Sequence, residues 1–104
     1  MIMKKLLILL LFFVSGFLFA KEHIVNIQKF KFTPQHITIS KGDTVKWVNI
    51  EKRQYHSVWF ESLEKEDPGY FFPGETYSKT LPNTGKLDYR CGPHPKMTGS
   101  VTVK

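Results

Sequence analysis

Cysteine is almost absent from this 104-residue chain, which contains Cys91 and no other. An intramolecular disulfide is therefore excluded, and a single cysteine in an exported protein indicates intermolecular pairing, a reactive thiol or a metal ligand. Methionine is equally scarce, because Met97 is the only one after the first three residues. A small domain without disulfides gains from another form of cross-link, and a bound metal is one such cross-link.

Long apolar runs are missing beyond the first twenty residues. The run over residues 6–19 follows a basic start with Lys4 and Lys5, and it is shorter than the ~20 residues that span a bilayer. This pattern is typical of a secretory signal peptide. We predict a signal peptide over residues 1–20 and one small domain over residues 21–104, without stable membrane insertion unless the signal stays uncleaved. Loss of Lys4 and Lys5 lowers the formal net charge from +6 to +4.

Helical periodicity is also absent from the predicted domain. Apolar and polar residues alternate instead, as at Val25 and Ile27, and this alternation is typical of half-buried strands. The apolar parity reverses before Phe30, which predicts a bulge or sharp bend near residues 28–29. Further strands are predicted around residues 37–39, 45–50, 55–60, 75–81, 86–91 and 98–103, with a turn at residues 41–43. About seven to eight short strands at this spacing indicate an all-β sandwich.

The scarce cysteine and methionine belong to one short segment, residues 89–98. Cys91, His94 and Met97 are three residues apart, so a tight loop can direct a thiolate, an imidazole and a thioether at one centre. Pro93 and Pro95 stiffen the loop and exclude a helical turn. Thiolate and thioether ligands select Cu(I), and a His2Cys site with a weak axial Met is an electron-transfer arrangement. We therefore predict a copper site with one ligand still to be found.

His56 is the best candidate for the second histidine. It opens the apolar stretch at residues 57–60, where neighbouring side chains exclude water from a metal. His36 falls on the polar parity of its strand, which predicts a solvated residue, and His23 lies at the start of the predicted domain. The predicted ligand set is therefore His56, Cys91, His94 and Met97, with one copper per monomer.

Five segments resemble the cupredoxins, or type 1 blue copper proteins, and among them the amicyanin- and plastocyanin-like members. The segments are Phe32-x-Pro34, Gly42-Asp43-Thr44-Val45-x-Trp47-x-Asn49, His56-Ser57-Val58, Pro73-Gly74-Glu75-Thr76-Tyr77 and Tyr89-x-Cys91-Gly92-Pro93-His94-Pro95-x-Met97-Thr98-Gly99. The resemblance implies a Greek-key β-sandwich in which His56, Cys91 and His94 are the in-plane ligands and Met97 is the axial one. Two departures concern Ser57, where many members have an asparagine that ties the ligand loops together, and residues 61–70, which match no family pattern.

The resemblance implies a periplasmic, mobile one-electron carrier rather than an enzyme. Catalysis needs an open coordination position, whereas four donors complete this set. The alternative is a periplasmic copper chaperone or storage protein, which would expose its donors for handover. The expected partners are redox proteins such as a c-type cytochrome or a dehydrogenase or reductase, and the expected state is a monomer. Export and the lack of basic runs argue against nucleic acid.

Two weaker hypotheses concern charge and a second metal. Residues 61–67 carry a net charge of −3, so the rest of the predicted domain carries about +7, and a dipolar protein orients its partners electrostatically. If Lys21 becomes the first residue, its amine, two amide nitrogens and the His23 ring could form a square-planar site for Cu(II) or Ni(II).

Overall fold

The computed structural model describes residues 20–104, which contain seven strands in two sheets. The strands are β1 (Glu22–Gln28), β2 (Lys31–Thr33), β3 (His36–Ile39), β4 (Thr44–Asn49), β5 (Thr76–Thr80), β6 (Gly85–Arg90) and β7 (Thr98–Val103). One sheet has the order β2-β1-β4-β5 and the other has the order β3-β7-β6. The predicted all-β sandwich is confirmed. The predicted signal peptide lies outside the described residues except for Ala20, and no helix within residues 20–104 is long and apolar enough to cross a membrane.

Each sheet is mixed, because β1 lies parallel to β4 and β3 lies parallel to β7, while the other neighbours are antiparallel. The chain passes from β3 in one sheet to β4 in the other through the predicted turn at residues 41–43. Gly42 has a φ of +88° there, a value that L side chains rarely adopt. The Gly42 amide donates to the Leu81 carbonyl at 3.0 Å, which ties the turn to the end of β5.

Alternating side chains of both sheets meet in one apolar core. Trp47 is fully buried at its centre, and its ring meets those of Phe60 and Tyr89 edge to face at centroid distances of 5.9 and 5.3 Å. Edge-to-face pairs are a favourable aromatic geometry and add to the burial of the rings. Tyr89 belongs to β6, so this aromatic cluster anchors the strand that leads into the loop at residues 91–97.

The predicted bend after β1 is a two-residue turn rather than a bulge. Gln28 pairs with Lys31 across the hairpin, and the two turn residues, Lys29 and Phe30, have φ values of 54° and 58°. Two successive positive φ values match the twist of a tight hairpin, although glycine and asparagine usually occupy such positions. The turn explains the reversed apolar parity, because the chain changes direction between Ile27 and Phe32.

The prediction of a strand at residues 55–60 is wrong. This segment makes only isolated bridges, from His56 to Phe71 and from Trp59 to Arg90. The Ser57 amide between them donates to the Cys91 sulfur instead of a carbonyl, so no continuous ladder forms. The apolar residues that suggested a strand, including Val58 and Phe60, are buried because the segment covers one end of the core.

Candidate metal centre

Three of the four predicted ligands converge at one end of the sandwich. The Cys91 Sγ atom lies 3.7 Å from His56 Nδ1 and 3.4 Å from His94 Nδ1. One donor atom from each residue lies within 4.8 Å of the other two. His56 and Cys91 are fully buried, and His94 is partly exposed. The structure therefore brings together residues that are 35 positions apart in the chain.

The loop at residues 91–97 is closed by its own backbone. Cys91 N–H donates to the Met97 carbonyl at 2.9 Å, and Met97 N–H donates to the His94 carbonyl at 2.9 Å. The strands β6 and β7 pair up to Arg90 and Thr98, which fixes both ends of the loop. The Met97 side chain is buried, so the thioether belongs to the interior end of the loop.

His56 is positioned by the segment that crosses it and by a buried amide. His56 and Phe71 exchange two backbone hydrogen bonds, of 3.1 and 2.9 Å. The fully buried Asn49 side chain donates to the Gln54 and Phe71 carbonyls at 2.9 and 3.1 Å. Asn49 thus joins the end of β4 to both segments that hold His56. Sequence reasoning missed this role, although a polar residue at a buried position of β4 was a signal for it.

The environment of the Cys91 sulfur disfavours a free thiolate. Burial raises the pKa of the Cys91 thiol, and hydrogen bonds from the Ser57 amide and at His94 offset part of that rise. A bound cation would reverse this balance, because its charge stabilises the thiolate. The Ser57 N–H, 3.4 Å from the sulfur, would then be a donor to that thiolate.

The surroundings of His56 favour the neutral form that a metal requires. Burial lowers its pKa, and the Glu51 carboxylate partly opposes this effect. Its Nε2 atom has no hydrogen-bond partner among the described residues, and the nearest carboxylate oxygen, Glu51 Oε1, is 3.8 Å away. Two imidazoles and one thiolate facing a common point are the donor set of a type 1 copper site, so the residues present fit copper.

Phe30 covers both imidazoles, a role that the sequence did not reveal. Its ring meets His94 edge to face at 4.9 Å and His56 at 5.6 Å between centroids. The turn that carries Phe30 is held in place by its own amide, which donates to Glu51 Oε1 at 3.0 Å. An apolar ring over the donors excludes water from one side of the cluster.

The other two histidines within residues 20–104 lie outside the cluster. His36 is exposed, and its Nδ1 atom is 2.6 Å from the Ser100 hydroxyl. His23 Nε2 lies 2.9 Å from Asp43 Oδ2, and the Lys21 backbone nitrogen lies 3.0 Å from Asp43 Oδ1. A metal bound by Lys21 and His23 would have to displace these contacts and the pairing of β1 with β4, so the folded structure disfavours the hypothetical second site.

The chain is similar to known copper proteins in sequence. A family model described as copper binding proteins of the plastocyanin/azurin family matches residues 20–104. Amicyanin from Paracoccus versutus is 36% identical over 87 residues, which cover 78% of this chain and 64% of that protein. Amicyanin-alpha from Methylorubrum extorquens is 38% identical over 84 residues, covering 77% of this chain and 70% of the relative. Plastocyanin from Scenedesmus fuscus is 35% identical over 86 residues, which cover 70% of this chain and 86% of that protein.

The fold is similar to solved structures of amicyanin. The crystal structure of amicyanin from Paracoccus versutus superposes with a TM-score of 0.74 at 33% identity, covering 84% of this chain and 85% of that structure. The chain spans just under two thirds, 64%, of the length of the two Paracoccus amicyanins that it matches.

Proposed function

Because the chain belongs to the plastocyanin/azurin family of copper-binding proteins, we propose that it is a mobile one-electron carrier. The observation that carries this proposal is the pair of histidine Nδ1 atoms facing the Cys91 sulfur at 3.7 and 3.4 Å. His56 and His94 would hold the copper through imidazole nitrogens, Cys91 through its thiolate and Met97 through its thioether. Copper in such a site supplies a centre that alternates between Cu(I) and Cu(II).

The protein's own contribution is to hold the donors still. The backbone hydrogen bonds of the loop at residues 91–97, the Asn49 amide and the paired segment around His56 restrict movement of the imidazoles and the thiolate. Restricted donors keep nearly the same positions in both oxidation states, so little reorganisation accompanies each transfer. Buried donors also argue against the alternative of a copper chaperone or store, which must release its ion readily.

Electrons would enter and leave through His94, the ligand with a partly exposed ring. An apolar hollow beside it is lined by Phe30, Pro93, Pro95 and Met97. Three further exposed aromatic residues lie nearby: the Tyr55 ring is 6.4 Å from that of His94, and it contacts the rings of Tyr70 and Phe72. These residues form a surface that a redox partner can approach without a layer of water between the two centres.

The partner would be a redox protein such as a c-type cytochrome or a dehydrogenase or reductase, with an acidic docking surface. Lys31 and Lys96 line the hollows beside Phe30 and Met97. The acidic residues 61–67 contribute less to the orientation of a partner than their net charge suggests. Glu61 pairs with Arg90 and Glu64 pairs with Lys79, so two of their charges are neutralised. Association with an acidic partner should therefore slow as salt screens the charges. A rate independent of salt would contradict this orientation.

Residues 1–20 would act as a signal peptide that directs the chain to the periplasm. The basic start and the apolar run of residues 6–19 support this proposal. Mass measurement of the protein recovered from the periplasmic fraction tests it. A mature chain beginning at or near Lys21 is expected, and a full-length cytoplasmic product would refute it.

Titration of the metal-free protein with Cu(II) tests the copper site. One equivalent should produce an intense blue colour, because the thiolate donates charge to Cu(II). Cys91→Ser and His56→Ala should each abolish the colour. The matched control is His36→Ala, which removes an exposed imidazole outside the cluster and should leave both colour and stoichiometry unchanged. A colourless wild-type Cu(II) form, or binding without a defined stoichiometry, would refute the proposal.

A further inference from the structure

Ser57 has an unexpected partner on the loop that matches no family pattern. The Ser57 hydroxyl donates to Asp67 Oδ2 at 2.7 Å, and the Gly92 amide donates to the Ser57 oxygen at 2.8 Å. Ser57 is fully buried, and Asp67 is partly buried. The three residues form a chain of hydrogen bonds that we name the carboxylate tie, and it ends on the residue next to Cys91.

The Asp67 carboxylate is itself held in a defined orientation. Its Oδ1 atom accepts a hydrogen bond from the Gly69 amide at 3.0 Å, which leaves Oδ2 directed at Ser57. A hydroxyl has a single proton to donate, so its donation to a carboxylate leaves the Ser57 lone pairs for the Gly92 amide. Hydrogen bonds to an ionised acceptor are roughly twice as strong as those between neutral groups.

Gly92 shows that the position of Asp67 constrains the sequence of the metal loop. A Cβ atom built on Gly92 would lie 1.7 Å from Asp67 Oδ2, 2.8 Å from its Cγ and 2.9 Å from Ser57 Oγ. The backbone of Gly92 lies outside the range of positive φ, unlike Gly42, Gly69, Gly74 and Gly85. A side chain at position 92 would therefore have to displace the Asp67 carboxylate, and glycine leaves that space free without any demand from the backbone conformation.

We propose that the Asp67 carboxylate is a positioning group of the copper site: it holds the Ser57 hydroxyl as the acceptor of the Gly92 amide. Ser57 also donates its own amide to the Cys91 sulfur at 3.4 Å, so the tie holds the segment around His56 against the loop that carries Cys91. A serine and a carboxylate from residues 61–70 thus perform together the joining role that the family resemblance assigns to a single asparagine. The inference rests on the proposed copper site, and its test includes measurements on the metal-free protein.

Amide hydrogen exchange of the metal-free protein measures the tie directly. In Asp67→Ala the Gly92 amide should exchange about tenfold faster than in wild type, a change that matches the net value of one hydrogen bond. Asp67→Asn keeps an oxygen that can accept from Ser57, so it should retain most of the protection. Glu66→Ala is the matched control, because it removes an adjacent exposed carboxylate that makes no hydrogen bond within residues 20–104. Equal Gly92 exchange in Asp67→Ala and Glu66→Ala would overturn the proposal, as would equal loss in the Asn and Ala variants.

A double-mutant cycle tests the steric part of the argument. Gly92→Ala should lower the denaturation midpoint of the metal-free protein more in wild type than in the Asp67→Ala background. In that background the carboxylate no longer meets the added methyl group, and only the contact with Ser57 Oγ remains. The same loss in both backgrounds would contradict the assignment.

The reduction potential of the copper-loaded protein reports the charge of the tie. Removal of a negative charge near the centre disfavours the more positive Cu(II) form, so Asp67→Asn should shift the potential upward by more than Glu66→Ala does. An equal shift in the two variants would show that Asp67 acts only as one of several surface charges. Failure of the wild-type protein to bind copper would refute the proposed function, whereas the exchange and denaturation measurements would still decide whether the tie exists.

Discussion

Lys29→Gly should stabilise the protein, because Lys29 has a φ of 54° in the turn that carries Phe30. An L-residue in this left-handed region costs roughly 1–2 kcal/mol relative to its preferred conformations. Glycine removes this strain but makes the unfolded chain more flexible, at a cost of about 0.5–1 kcal/mol. The net gain in unfolding free energy should be about 0.5–1 kcal/mol.

Lys31→Gly is the matched control for this substitution. Lys31 is exposed in the adjoining strand β2, so the variant loses the same charge and gains the same flexibility in the unfolded chain. It relieves no strain and should therefore be less stable than wild type. The difference between the two glycine variants isolates the strain, about 1–2 kcal/mol.

Thermal unfolding of the metal-free proteins measures this difference. A change of 1 kcal/mol shifts the melting temperature of a domain of this size by about 4–8 °C, so Lys29→Gly should melt at least ~4 °C above Lys31→Gly. Equal melting temperatures would show that the turn stores no strain. The blue colour of the copper-loaded Lys29→Gly protein should be unchanged, because Phe30 keeps its backbone hydrogen bond to Glu51.

Three further predictions concern the core, the pH dependence and the metal. Ile27→Ala should lower the unfolding free energy by about 2–5 kcal/mol because Ile27 is fully buried, whereas the exposed Ile24→Ala in the same strand should cost far less in denaturant titrations. Hydrogen bonds from the Lys21 amide, His23 and the Ser40 amide lower the pKa of Asp43 from 3.8 to about 2. The stability that these bonds contribute is present above about pH 4 and is lost as the pH falls through about 2. Plots of unfolding free energy against pH should therefore be flatter for Asp43→Asn than for wild type in that window. Parallel curves for wild type and Asp43→Asn would refute this assignment. Copper at 100 times its dissociation constant should stabilise the protein by about 2.7 kcal/mol, and a chelator should reverse the shift in melting temperature. Cys91→Ser should show no such shift.

Several features of this protein are local in the sequence and could be predicted from it. The donors Cys91, His94 and Met97 lie within one loop of seven residues, so their proximity could be predicted from chain geometry alone. Most strands were predictable as well, because apolar alternation reports which face of a strand is buried. The signal-peptide prediction depends on residues 1–20 and stays a prediction.

Other features arise from contacts between distant segments, which no local pattern encodes. The bridge between His56 and Phe71 places the second imidazole at the sulfur, and the segment around it has the composition of a strand without pairing as one. Asp67 belongs to a polar loop that resembles any solvated surface until the fold brings its carboxylate to Ser57. Phe30 meets both imidazoles from a hairpin turn whose two residues adopt positive φ, and no local pattern signals that conformation. The sequence alone therefore determined which donor groups are present, because donor chemistry is a property of the residue type. Only the tertiary structure decided how His56 reaches the Cys91 sulfur and which side chains cover the donors, because those contacts join segments that are distant in the chain.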